Sequence, residues 1–339
     1  MIGCGYVSAW HLEAWKDIEA AEIVAVCDLD LQKAEKRAIE FGMENVYTDY
    51  QKMISEMAVD FVDIATPPAS HPELVTNAAA RGLHVLCQKP LSHSMADAYK
   101  MVTACDDAGV TFMVLENYRH YPWFRHLRTL LDEGSFGLPV YARLEGRWRS
   151  TLPTPDFEGQ DFFREMPHLI VFELGVHYLD TLRYLFGEPT SVYTRLRRVS
   201  PHILGEDFAV LVIEFDELTC LIDMNWFSIE DPDPTCKGEH MRLEGSEGTA
   251  FLKSDRKLIM KTDLDQKEWK FPQNCIHPSI VTCQQHFIDC VNSGQEPETS
   301  GAETIKTMAL VFAAYRSAEE NRVVMMDESF DNAILTPKR

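Results

Sequence analysis

Ile2-Gly3-Cys4-Gly5-Tyr6-Val7-Ser8 opens the chain, and a helical stretch from about Ala9 to Ala20 leads from it to Ile23-Val24-Ala25-Val26-Cys27 and then Asp28. A turn with two glycines, a helix, and a continuous apolar strand ending in an acidic residue have the order and spacing of a dinucleotide site. The glycines let the backbone approach a pyrophosphate, the helix N-terminus supplies positive potential, and Asp28 can accept hydrogen bonds from an adenosine ribose. Ser8 stands where the third glycine of the fingerprint belongs and is small enough for helix–strand packing. Asp28 has a second reading, as N-cap of the following helix Gln32–Phe41.

Such a fingerprint follows a buried strand, yet only Met1-Ile2 precede Gly3. Without that central strand, neighbouring backbone groups lose their partners and a core face lies open. The expectation is a first strand truncated by a numbering that begins inside a longer natural protein.

Strand and helix continue to alternate. Phe61-Val62-Asp63-Ile64-Ala65 leads to Thr66-Pro67, His84-Val85-Leu86-Cys87 to Gln88-Lys89-Pro90, and Thr111–Leu115 to Glu116-Asn117-Tyr118-Arg119, with helices between. This is the pattern of a parallel sheet, whose ligands bind beyond the carboxyl ends of the strands. Asp28, Thr66, Lys89 and Asn117 should therefore line one edge. Lys89 is informative, because a cation there can polarise a hydroxyl or carbonyl; its plain alternative is a surface lysine.

Beyond residue 120 the pattern changes. Val140–Arg149 reads as a long strand, and from Ser191 to Lys261 strand follows strand without crossover helices, which indicates a mainly antiparallel open sheet. Its outer face needs cover, so a homodimer or homotetramer through this sheet is expected. The fold class is an α/β doubly wound parallel sheet over residues 1–119, a dinucleotide-binding domain, followed by an α+β domain over 120–339 for substrate binding and oligomerisation.

Between these lies Glu173-Leu174-Gly175-Val176-His177-Tyr178-Leu179-Asp180. At 3.6 residues per turn, Glu173, His177 and Asp180 share a helical stripe. Two carboxylates beside an imidazole suit acid/base chemistry near neutral pH. The bland alternative is the wet face of an amphipathic helix.

Composition narrows the function. The net charge of -21 argues against nucleic acid and anionic membranes. No apolar run is long enough for a membrane span. Nine cysteines without a C-x-x-C pair point to a reduced, cytoplasmic protein. No metal site is expected: His11, His71, His84 and His93 lack ligand spacing, and His277 and His286 lie apart.

The quoted residues resemble the Gfo/Idh/MocA family of nicotinamide-dependent oxidoreductases. The matching positions are Gly3-Cys4-Gly5, Asp28, Ala65-Thr66-Pro67 with His71, Lys89-Pro90, Asn117 with Arg119, Gly175-Val176-His177 with Asp180, and the closing Ala313-Ala314-Tyr315-Arg316. The resemblance implies a Rossmann domain holding NAD, with NADP possible: Gly3, Gly5, Tyr6 and Val7 at the pyrophosphate, Asp28 at the ribose, and Thr66, Pro67, His71, Gln88, Lys89 and Asn117 around the remaining cofactor. It implies a sugar, cyclitol or related polyol as substrate, His177 as acid/base and Lys89 assisting proton transfer. Three positions depart from the family pattern: Gln88 replaces a glutamate, Glu173 an aspartate, and Pro167-His168-Leu169 a glycine-rich run.

The reaction expected is hydride transfer between a secondary alcohol and nicotinamide, with His177 as base, Lys89 on the same oxygen, and Glu173 or Asp180 orienting the imidazole. Arg119, Tyr121, Trp148 and Arg164 are candidate substrate contacts; for Trp148 and Arg164 ordinary packing reads equally well. The alternatives are a non-catalytic NAD(P)-sensing regulator and an NAD-dependent glycosidase.

Overall fold

The computed structural model describes residues 1–157, 160–229, 239–253, 255–328, 330 and 333–334. They form two compact units, one of residues 1–117 with 276–308 and the other of residues 118–275 with 309–339.

In the first unit, α1 (Ser8–Trp15), β1 (Ala25–Cys27), α2 (Leu31–Phe41), β2 (Asn45–Tyr47), α3 (Tyr50–Glu56), β3 (Phe61–Ile64), α4 (His71–Ala79), β4 (His84–Gln88), α5 (Met95–Ala108) and β5 (Phe112–Leu115) follow in order. The strand pairs β1–β2, β3–β4 and β4–β5 are all parallel. Ile2 bridges Cys27 on one side and Ile64 on the other, also in parallel. Its amide donates to the Asp63 carbonyl at 2.8 Å and its carbonyl accepts from Ala65 at 2.7 Å, while Gly3 donates to Cys27 at 2.8 Å. The dipeptide Met1-Ile2 thus occupies the central position of the sheet at its carboxyl end. An open cavity of about 520 Å³ is lined by Met1, residues 20–25, Met53, Phe61, His84 and Ile288.

The helix after the glycine turn stops at Trp15, short of the expected Ala20, because Ile18 turns into the core beside Trp15 and Ala14. Strand β2 is short and half-exposed, which is why no apolar run announces it.

In the second unit, α6 (Pro122–Asp132), β6 (Pro139–Arg147), α7 (Val176–Phe186), β7 (Ser191–Arg197), β8 (Phe208–Glu214), β9 (Thr219–Asn225), β10 (Glu239–Gly245), β11 (Thr249–Leu252), β12 (Lys257–Lys261), β13 (Gln266–Lys270) and a closing strand β14 (Val324–Met325) follow in order. Of the two helices between β13 and β14, α8 (Ile276–Ser293) falls in the first unit and α9 (Gly301–Glu320) is divided between the two at residues 308 and 309. The nine strands β6–β14 form one sheet in the order β13-β12-β11-β10-β6-β9-β8-β7-β14. Among the described residues only the β6–β9 pair of this sheet is parallel, so the sheet is mixed. Burial alternates along β6 and β8: Ala142, Leu144, Ala209, Leu211 and Ile213 are buried, and their neighbours are not. Strands β13 and β14 were not expected; β13 is almost wholly polar and β14 has two residues, so neither carries a period-two signal.

The boundary drawn at 119/120 needs correction. Helix α8 belongs to the first unit, where Ile280, Cys283, Phe287 and Ile288 pack with Trp15, Leu86, Met113 and Leu115. The apolar face of α8 fits the parallel sheet, and nothing local in its sequence says which of two cores it fills. Tyr118 and Arg119 fall in the second unit.

Candidate active site

The residues expected to hold a dinucleotide lie in the first unit. Gly3 has φ +93°, and a Cβ there would lie 2.5 Å from the Ala65 carbonyl oxygen, so the turn admits no side chain. A Cβ on Gly5 would meet nothing within 4 Å, leaving open space against bare backbone. Helix α1 begins without a side-chain cap, so its first amides are available to an anion. Asp28 is aimed at this turn: its Oδ2 accepts from the Cys4 amide at 2.8 Å and its Oδ1 from Asp30 at 2.9 Å. The cap of α2 is Asp30, which accepts from Gln32, so the capping alternative for Asp28 is withdrawn. Arg37 braces the turn from behind, donating to the Gly5 carbonyl at 2.9 Å and to Ser8 Oγ at 3.0 Å. Tyr6 packs edge-on against Trp10 at 5.2 Å, with Val7 at the helix entry.

Because all the strands are parallel, Asp28, Thr66, Lys89 and Asn117 follow carboxyl ends on one edge of the sheet. His71 is fully buried, its Nε2 2.8 Å from the Thr66 carbonyl and its Nδ1 3.0 Å from that of Leu91. It ties the loop after β3, which contains Pro67, to the loop after β4. Burial pushes its pKa down, opposed by the two carbonyls. Gln88 Oε1 accepts from the Lys89 amide at 2.7 Å. Asn117 donates to Ser279 Oγ at 2.8 Å, so α8 fixes its rotamer.

The residues expected to do acid/base chemistry lie in the second unit. The stripe is not a wet helix face: Glu173, His177 and Asp180 are 8%, 7% and 3% exposed. The chain enters from Leu169-Ile170-Val171-Phe172, none of which is exposed, so water cannot satisfy the first helical amides. Glu206 and Tyr315 do so instead. Glu206 Oε1 accepts from Leu169 at 3.0 Å and Val171 at 3.3 Å, its carbonyl accepts from Ile170 at 3.2 Å, and Tyr315 Oη accepts from Phe172 at 3.1 Å. The Tyr315 hydroxyl in turn donates to Glu206 at 2.6 Å. Burial pushes both the Glu206 carboxyl and the Tyr315 phenol up. The turn they anchor, Val171–Gly175, is π-helical, a departure from the plain α-helix that the spacing predicts, and it carries Glu173 into α7. Helix α7 lies close on the sheet because Gly146 has no side chain; a Cβ there would meet the Tyr178 hydroxyl.

His177 lies under Tyr118, ring centroids 4.0 Å apart and planes 10° from parallel. Asp180 takes both arms of Arg119, Nε and Nη2, at 2.7 Å each. Of the remaining candidates, Tyr121 is buried among Tyr118, Trp123 and Phe124, Trp148 packs near Trp226 with centroids 5.9 Å apart, and Arg164 donates to the Pro155 carbonyl at 2.7 Å. The sequence reading missed Tyr118, Glu206 and the role of Tyr315. An acidic residue, Glu206, beside the apolar strand β8 was the available signal for one of them.

A family model described as "Oxidoreductase family, NAD-binding Rossmann fold" matches residues 1–116, and one described as "GFO/IDH/MocA C-terminal domain" matches residues 124–251. The D-apiose dehydrogenase of Paraburkholderia graminis is 38% identical over 96% of this chain and 88% of its own length. The chain belongs to the Gfo/Idh/MocA oxidoreductase family. A D-apiose dehydrogenase of Rhizobium rhizogenes is 34% identical over 96% of each chain. Among solved structures, an oxidoreductase from Agrobacterium radiobacter in complex with NAD+, L-tartaric acid and magnesium superposes with a TM-score of 0.89, at 33% identity, covering 96% of this chain and 97% of that one. Like other Gfo/Idh/MocA members, this chain is an NAD(P)-dependent oxidoreductase of the sugar and polyol type, and its open glycine turn and aimed Asp28 suit the dinucleotide. Among the described residues, no helix is long and apolar enough to cross a membrane.

Proposed function

We propose that the protein oxidises a carbinol of a small sugar, with D-apiose the first substrate to try because the two D-apiose dehydrogenases match along nearly the whole chain. In this reading His177 is the general base and Lys89 a cation that stabilises developing alkoxide charge. NAD supplies the hydride acceptor; Gly3, Gly5, Tyr6 and Val7 would hold its pyrophosphate, Asp28 its ribose, and Thr66, Pro67, His71, Gln88 and Asn117 would shape the nicotinamide side. A carboxylate at Asp28 disfavours a 2′-phosphate and so favours NAD over NADP.

The single observation that carries the reading is the environment of His177: buried, held flat by Tyr118, and one helical turn from the Arg119–Asp180 pair. In this reading Asp180 acts on the imidazole through its field, with its oxygens committed to Arg119. Glu173, on the π-helical turn one helical turn before His177, is the second acidic group of the stripe, proposed to orient the imidazole or to meet substrate. Tyr121, Trp148 and Arg164 shape the walls. The test is NADH production by the purified protein across D-apiose, other pentoses, inositols and hydroxy acids such as L-tartrate. D-apiose giving the highest kcat/KM supports the substrate; no NADH from any of them removes it.

We also assign the outer face of the mixed sheet to a homo-oligomer contact and the protein to the cytoplasm. Phe208, Val210, Val212 and Leu221 lie half-buried on that face beside the Arg143–Asp223 and Arg147–Asp223 ion pairs. Sedimentation at micromolar concentration distinguishes dimer or tetramer from monomer.

A further inference from the structure

Asp63 stands alone as a charged residue within apolar strand β3 and is fully buried. A buried carboxylate must be paired. It receives His11 Nδ1 at 3.0 Å on both oxygens and Trp15 Nε1 at 2.7 Å, both from α1. His11, 1% exposed, presents its other nitrogen, Nε2, to Gln88 Nε2 at 3.1 Å, and Gln88 Oε1 accepts from the Lys89 amide at 2.7 Å.

The chemistry of these contacts fixes every proton. The Lys89 amide can only donate, so the Gln88 atom facing it is the oxygen and the atom facing His11 is the NH2 group. That group donates, so His11 Nε2 accepts and bears no hydrogen. His11 Nδ1 then carries the single ring proton and gives it to Asp63. The relay therefore reads Asp63 carboxylate, neutral His11, Gln88, Lys89 amide.

We propose that Asp63 and His11, acting through Gln88, are the positioning device for Lys89, and that glutamine at this place is what keeps His11 neutral. The proposal rests on Lys89 being catalytic. A carboxylate at position 88 would still accept from the Lys89 amide but could not donate to His11. It would pull a second proton onto the ring, leaving the relay with the same net charge of one carboxylate. Beside this relay α8 contributes the Gln284 amide, which donates to the His11 carbonyl at 3.1 Å, and the buried Cys283 packs in the same cluster as Trp15. The Cys87 thiol also feels Asp63, and burial favours its neutral form.

The test is 15N NMR of the imidazoles with His11 assigned by its loss in a His11 variant, together with steady-state kinetics. At neutral pH the wild type should show Nδ1 protonated and Nε2 bare, and Gln88→Glu should show both nitrogens protonated. Gln88→Leu should lower kcat about tenfold, a small displacement of Lys89 being enough for that. Gln88→Glu should add an ionisation to the pH profile of kcat, assigned to His11 by its absence in the His11 variant. A doubly protonated His11 in the wild type, a neutral one in Gln88→Glu, or unchanged kcat in Gln88→Leu overturns the proposal. Wild-type kcat in Lys89→Ala would remove the positioning claim and the catalytic reading together, while the His11 tautomer would stand on its own measurement.

Discussion

Arg119 and Asp180 form a two-armed ion pair, both contacts at 2.7 Å, with the side chains 8% and 4% exposed. The pair joins the short turn Tyr118–His120 to helix α7, and so holds Tyr118 over His177. Removing one partner strands the other charge away from water. Arg119→Met should cost about 3–5 kcal/mol in chemical denaturation. Arg119→Lys, which keeps the charge but loses the fork, should cost less and still lower kcat, since Tyr118 would no longer be held in place.

Glu206 supplies a prediction in pH. Burial raises its carboxyl pKa in the folded chain. A group that holds its proton more tightly when folded contributes full stability below its unfolded pKa, and that contribution is lost as pH rises through the folded value. All three donors on its side chain point at one oxygen, which a glutamine oxygen can replace. Glu206→Gln should therefore gain on the wild type in Tm as pH rises from the ordinary glutamate range toward neutrality. Parallel Tm curves for the two proteins across that range would contradict it.

Much of the nucleotide half was legible because its chemistry is local. A glycine turn, a helix, a strand and Asp28 lie within one short stretch, and the positive φ at Gly3 follows from that turn. The acid/base half was only half legible. Glu173, His177 and Asp180 share a helix, so spacing brought them together, but their buried state depends on Glu206 and Tyr315, which reach them from distant segments. Arg119 was read as a substrate contact because a polyol is held by hydrogen bonds; its ion-pair partner Asp180, sixty-one positions away, could not be read from spacing. The assignment of α8 to the first unit has the same origin, since an amphipathic helix does not name the core it covers.

Gly3→Ala offers a test of the turn. A methyl group would lie 2.5 Å from the Ala65 carbonyl oxygen in a backbone conformation that favours glycine. Denaturation should show a loss of about 2–4 kcal/mol, with weakened NAD binding. Gly5→Ala, which meets nothing within 4 Å, should retain stability and lose NAD affinity.

Asp28 sets cofactor choice in this account. Its two oxygens are held by the Cys4 and Asp30 amides, so the carboxylate is fixed in place before any ligand arrives. Asp28→Ser should raise KM for NAD about tenfold and narrow the preference over NADP. An unchanged NAD-to-NADP ratio of kcat/KM would place the ribose elsewhere.

The central claim is that His177 and Lys89 carry the proton chemistry of a hydride transfer. The most direct measurement is turnover of His177→Ala and Lys89→Ala with the sugar substrate, alongside NADH binding by the same proteins. The account predicts a fall in kcat of about 10²–10⁴ in each, with NADH affinity within a few-fold of wild type for His177→Ala. Wild-type turnover in both variants would contradict it.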